Sequence, residues 1–138
     1  MTRIKSKLIP IINVLKLLNK TKLSKDVLWD TSFKSKVVES IFIGLPLPMF
    51  YVDTRDQWCV LNGSLMIVTL KEYIIENRFA LEDLTFLPEL EGLKFSQLPR
   101  HYQRKLGETE LFVCLIEPPV QEIADKIQPL ITNLLNPG

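Results

Sequence analysis

A chain of 138 residues, 46% hydrophobic and 24% charged, falls in the range of one ordinary globular domain and excludes a disordered, collagen-like or repeat architecture. No apolar run reaches the length of a membrane span. The two cysteines, Cys59 and Cys114, are too few for a disulfide framework or a metal site, and both are expected as reduced core residues of a cytoplasmic protein.

The net charge of +1 is unevenly spread. Residues 1–36 carry nine Lys/Arg against Asp26 and Asp30, whereas the remainder carries eight against fourteen acidic residues. Such asymmetry marks either a nucleic-acid or membrane contact or a basic first third packed against an acidic remainder.

The N-terminus has a basic start and a short apolar run, but Lys16 and Lys20 interrupt that run and no small-residue cleavage site follows. Leu8, Ile11, Ile12, Leu15 and Leu18 fall at helical spacing, which predicts an amphipathic helix over 8–19 with Pro10 in its first turn. Residues 22–29 read as a loop leading to a buried Trp29. Asp30 or Thr31 is an N-cap for a helix from Ser32 to Ile43 with Val37, Val38, Ile41 and Phe42 inward; Gly44 closes it and Pro46 prevents its restart. Met49 to Val52 and Trp58 to Leu61 are expected as the two strands of a hairpin turned by Thr54, Arg55, Asp56 and Gln57.

The stretch QWCVLNGSLMIVTLKEY, from Gln57 to Tyr73, reads as a strand, a turn at Asn62 and Gly63, and a helix from Ser64 to about Asn77, with Leu65, Val68, Leu70, Tyr73 and Ile74 largely buried. Glycine at such a turn lets backbone approach a ligand, and the helix aims free N–H groups at whatever lies above it. That is the layout of an anion site, with Asn62, Gly63 and Ser64 as its backbone. No charged side chain lies between Gln57 and Lys71, so an ordinary strand–turn–helix connection is the plainer reading.

Residues 79–95 are expected as short strand or loop pieces around Pro88 and Gly92. Ser96 to Leu106 is expected as a polar helix ended by Gly107. Glu110 to Ile116 is a continuous apolar run of central-strand type. Pro118 and Pro119 stop it and open a last helix, which Pro129 splits. Hairpin, central strand and helices together make the fold class α+β: a small mixed sheet with packed helices.

The segments VLWDTSFKSKVVESIFIGLPLPMFYVD and LEGLKFSQLPRHYQRKLGETELFVCLIE carry a resemblance. Their order and spacing resemble the N-terminal domain of GmrSD-type restriction endonucleases, of the ParB/sulfiredoxin-like superfamily, from about residue 8 to the end. The resemblance implies one ParB/sulfiredoxin-like domain over 1–138, lacking the family's C-terminal continuation. It also implies a lost active site. The family's Asp-Gly-Gln-Gln-Arg motif, tied to nucleotide hydrolysis or DNA cleavage, corresponds to Asn62, Gly63, Ser64, Leu65 and Met66. An amide replaces the acid, and Met66 replaces the phosphate-binding arginine. A family Gln-Arg corresponds to Ser24 and Lys25, and a family Arg-hydrophobic-Asn to Leu134, Leu135 and Asn136. The expected degenerate anion site is therefore Lys25, Asn62, Gly63, Ser64 and Asn136, with no catalytic residue, metal or cofactor.

Three other features were weighed. His101 stands alone on a polar stretch and reads as part of a solvated helix face. Arg100, Arg104 and Lys105 share that stretch, with residues 100 and 104 on one helix face suited to phosphates, although Glu108 and Glu110 follow. Asp30, Asp53 and Asp56 read as turn and cap residues, and Trp29 and Trp58 as core. The function expected is that of a non-catalytic relative of a restriction-type nucleotidase or nuclease acting through a protein partner. The alternative is a residual nucleotide- or DNA-binding module of a phage-defence system.

Overall fold

The computed structural model describes residues 3–18, 30–54, 59–61 and 64–117, together with 126, 129 and 130. Strand β1 (Arg3–Pro10) leads directly into helix α1 (Ile11–Leu17). Helix α2 (Thr31–Phe42) follows, then strands β2 (Phe50–Asp53) and β3 (Cys59–Val60), helix α3 (Ser64–Leu70), helix α4 (Arg100–Glu108) and strand β4 (Glu110–Glu117). The four strands form one mixed sheet in the order β1-β4-β2-β3. β4 is central, antiparallel to β1 and parallel to β2, and β2 and β3 are the antiparallel hairpin. The α+β architecture and the central apolar strand agree with the sequence.

The beginning of the chain differs from expectation. Residues 8–10 belong to a strand, not to a helix over 8–19. Proline fixes its own φ and disfavours helical backbone in the residue before it, so Ile9 cannot join a helix running through Pro10. Pro10 itself is extended (φ −58°, ψ 144°) and caps α1 from outside. Ile11, Leu15 and Leu18 are buried as the spacing announced and are joined by Val14, whereas Ile12 is half-buried and Leu8 exposed.

In α2 the caps are as read. The Phe33 amide donates to Asp30 Oδ1 at 2.8 Å. At the other end Leu45 N–H donates to Ser40 O and Gly44 N–H to Ile41 O, while Gly44 adopts φ +81°. This paired closure requires a left-handed residue, which glycine supplies without a Cβ penalty.

The sheet is apolar on both faces. Phe50 and Val52 of β2 join Leu111 and Val113 of β4 in the main core cluster, with Ile11, Leu15, Val38, Ile41, Ile67 and Leu70 from the helices. On the other face Cys114 and Ile116 pack with Met49, Tyr51 and Leu61. Cys114 is the core residue expected, but Cys59 is exposed: it lies in a two-residue strand at the sheet's edge, too short to bury both of its faces.

α3 also departs from a plain helix. It passes into a π-helical turn over Lys71–Ile75 and stops there, short of Asn77. Tyr73 and Ile74 remain buried as expected, joined by Ile67 and Thr69. Gly107 lies within α4 rather than after it; Thr109 is the capping residue.

Residues 77–99 contain 3₁₀ turns at Pro88–Leu90 and Phe95–Gln97 and are otherwise irregular. The expected loop over residues 22–29, with Trp29, falls outside the described residues, as do Asp56 and Trp58; of the last expected helix only Lys126, Pro129 and Leu130 are described, and they are helical.

Candidate functional site

The strand and the helix on either side of the expected turn are present: β3 ends at Val60 and α3 starts at Ser64. Leu61 N–H donates to Tyr51 O at 2.8 Å, which carries the hairpin pairing to the edge of the turn. Of the five expected site residues, Ser64 opens α3, while Lys25, Asn62, Gly63 and Asn136 fall outside the described residues, as does Leu134. Met66, which the resemblance sets against a family arginine, is half-buried and packs against the main core cluster. The helical register explains this. Ile67 and Leu70 point into the core, and Met66 flanks them, where an unbranched apolar side chain fills space that a guanidinium could occupy only at a desolvation cost.

One cation of the basic first third packs against the acidic remainder, and three others do not. Lys34 Nζ makes a 2.6 Å ion pair with Glu72 Oε2 in the acidic remainder, with both side chains only 17% exposed, and lies 5.7 Å from the centre of the Phe79 ring. Arg3, Lys5 and Lys7 instead lie exposed along β1. The alternation of these cations with Ile4 and Leu8, ended by Pro10, was the period-two signal for a strand.

α4 carries the second group of cations. Pro99 fixes extended backbone immediately before it (ψ 145°), and Gln103 ties it back to the preceding turn through bonds from Nε2 to Phe95 O and Leu98 O, both 3.1 Å. A cleft of about 470 Å³ beside it is lined by Ile12, Ile74, Phe95 and Leu98 together with Arg100 and Arg104. A neighbouring cavity of about 460 Å³ shares both arginines and adds His101 and Lys105. Arg104 Nε lies 3.3 Å from Glu108 Oε1, whereas Arg100 and Lys105 make no ion pair with a described residue. His101 is exposed and lies against Tyr102 with ring centres 4.2 Å apart, so the solvated-face reading holds.

Two buried acids were not anticipated as such. Glu39, 4% exposed, accepts backbone hydrogen bonds from Thr85, Phe86 and Leu87 at 3.1, 2.8 and 3.0 Å. One turn earlier Ser35 donates to Thr31 O and accepts from Glu82 N–H at 3.0 Å. These are structural ties between α2 and residues 82–87. A Ser and a Glu four apart on the inward side of α2 was the available sign. Asp53 is buried at the end of β2 rather than placed in the turn.

Tyr73 is fully buried. Its hydroxyl donates to Leu93 O at 3.1 Å, and burial pushes its phenol well above the ordinary value of 10.0. Among the described residues no three His, Cys, Asp or Glu side chains converge as a metal site would require, and no described helix is long and apolar enough to cross a membrane. Comparison with family models, with curated proteins and with solved structures returns no match to this chain.

Proposed function

We propose that this chain is a non-catalytic relative of the ParB/sulfiredoxin-like domain of GmrSD-type restriction endonucleases, and that it works through contact with another protein. The observation that carries this reading is Met66: the position that holds a phosphate-binding arginine in the family's motif holds a half-buried side chain packed on the core. A strand and a helix flank the expected turn, and no charged side chain lies between Gln57 and Lys71 to make it a site. A cytoplasmic location belongs to the same reading, supported by the free thiols of Cys59 and Cys114.

Isothermal titration with ATP, GTP and CTP, with and without magnesium, tests it. No heat is expected. Binding in the micromolar range, about −8 kcal/mol, would overturn the reading. Met66→Arg is expected to lower stability by about 1–3 kcal/mol without creating nucleotide affinity, because the new charge meets apolar packing.

A second reading, residual contact with nucleic acid, draws on α4. Arg100 and Lys105 are uncommitted to ion pairs there, and Arg100 and Arg104 flank an open cavity. A fluorescent duplex binding with a steep salt dependence that Arg100→Ala flattens would favour it.

A further inference from the structure

The sheet's two edges are unequal. β3 contributes two residues, while β1 contributes eight. The direction of β1's backbone groups follows from its register. Ile11 N–H donates to Thr109 O at 2.8 Å, one step beyond the Pro10↔Glu110 pair that ends the β1–β4 ladder. Bonded pairs in an antiparallel ladder recur every second residue. Arg3, Lys5, Lys7 and Ile9 therefore turn their N–H and C=O groups towards β4. Ile4, Ser6 and Leu8 turn theirs outward, and Pro10, at the next outward position, has no N–H to offer.

Residues 3–8 are all exposed, and no described residue bonds to this row. Its side chains are sorted as well. Arg3, Lys5 and Lys7 share one face. Ile4 (65% exposed) and Leu8 (58%) share the other, next to Phe112 (40%), which is Leu8's partner on β4.

We propose that the outer edge of β1 is a docking site for an extended acidic segment of a partner protein, added to the sheet as a fifth strand. It rests on the protein-contact reading and deepens it. Main-chain bonds from Ile4, Ser6 and Leu8 supply the pairing. Acidic side chains at alternate positions of the incoming strand face Arg3, Lys5 and Lys7, and apolar ones between them meet Ile4 and Leu8. Charge decides against a second copy of the chain as the occupant. When two β1 edges pair antiparallel through Ile4, Ser6 and Leu8, residues of the same parity lie opposite, so cation meets cation.

The test uses the whole ¹⁵N-labelled chain and a blocked eight-residue peptide of alternating Glu and Val. Binding should slow amide exchange at Ile4, Ser6 and Leu8 at least about tenfold, with little change at Lys5 and Lys7, whose amides already bond to β4. The matched peptide of alternating Lys and Val should give no protection. Ser6→Pro removes an outward donor and no bond to β4, and should weaken peptide binding by about tenfold or more. Leu8→Glu, which leaves every backbone donor in place, should weaken binding as well.

No added protection at millimolar peptide overturns the proposal. So does equal binding of the Lys peptide, a dimer abolished by Ser6→Pro, or a DNA duplex that perturbs Arg3, Lys5 and Lys7 in preference to the peptide. Nucleotide heat in the titration above would overturn the non-catalytic reading while leaving these amide measurements intact, so the two failures are distinguishable.

Discussion

β1 and residues 79–95 invert the usual relation between regularity and satisfaction. β1 is regular and exposed, and half of its backbone groups face outward without a partner among the described residues. Residues 79–95 contain only short 3₁₀ turns, yet they are tied down throughout. Glu39 takes three of their amides and Ser35 takes Glu82's. Leu81 and Leu93 pair through the backbone, and Glu91 takes the amide of Leu84. The backbone demands partners wherever it is buried, and a carboxylate on a neighbouring helix meets that demand as well as a strand does. Structural rigidity here therefore lies where the secondary structure is poorest, and binding capacity where a regular element is left unfinished.

The strongest way to break this comparison is at Glu39. Glu39→Ala leaves three amides near the core without an acceptor, and the expected loss is about 3–5 kcal/mol, read from urea unfolding. Glu39→Gln keeps one carbonyl oxygen but turns an NH₂ towards amide donors, and about half of that loss is expected. A cost below about 1 kcal/mol for Glu39→Ala would mean that water replaces the carboxylate and that the segment is held by its apolar contacts alone.

Tyr73 tests the other side of the same segment. Its hydroxyl bonds Leu93 O, and its ring packs on Phe79 and Phe95 with centroids 5.0 and 5.9 Å away. Tyr73→Phe keeps the rings and loses the bond, at an expected cost of about 1 kcal/mol. The phenol also gives a pH signature. Its folded value is raised above the unfolded value of 10.0, so the folded state holds a proton that the unfolded state releases. Stability is unaffected below that value and falls as pH rises past it, because only the unfolded chain ionises there. Stability–pH curves of wild type and Tyr73→Phe should coincide in shape below pH 10.0 and diverge above it, with the wild type falling faster.

Ser6→Pro belongs on the opposite side of the comparison. Its effect on urea unfolding should lie within about 0.5 kcal/mol, because an exposed edge position gives up no internal bond. A large loss would show that the outward groups of β1 are already committed.

What could be read from the sequence follows from whether a signal was local. The caps of α2 were legible because Asp30 and Gly44 act within one turn of themselves. β4 was legible because a strand buried on both faces carries no polar positions. β1 was misread because its apolar residues match a helical spacing with those of α1, and Pro10 was taken as a helix-starting residue when it divides two elements. Glu39 is harder to read: its inward place one turn after Ser35 is the only local sign, and its partners lie 46 to 48 residues away. At the expected anion site the helix start was legible and Met66 packs against the core, while Asn62 and Gly63 lie outside the described residues. Whether the backbone turn retains any affinity is a question for the nucleotide titration.

The one stabilising effect expected concerns Gly107, which lies on α4 between the two regions, after the tied segment and before β4 takes up β1. The sequence reading made it the end of a helix, where a left-handed glycine would be needed and alanine would cost stability. In the fold it is an interior position: α4 continues to Glu108, and Thr109 N–H donates to Lys105 O. A Cβ added there would lie 3.7 Å from Ile12 Cβ and 3.9 Å from its Cγ2, ordinary van der Waals contact with α1. Alanine also restricts the unfolded chain and favours the helix by up to about 1 kcal/mol. Gly107→Ala should therefore stabilise the protein by about 0.5–1 kcal/mol and raise its melting temperature by a few degrees. Destabilisation of similar size would instead mean that α1 cannot yield a few tenths of an ångström, and that the α1–α4 contact is as rigidly held as the segment tied to Glu39.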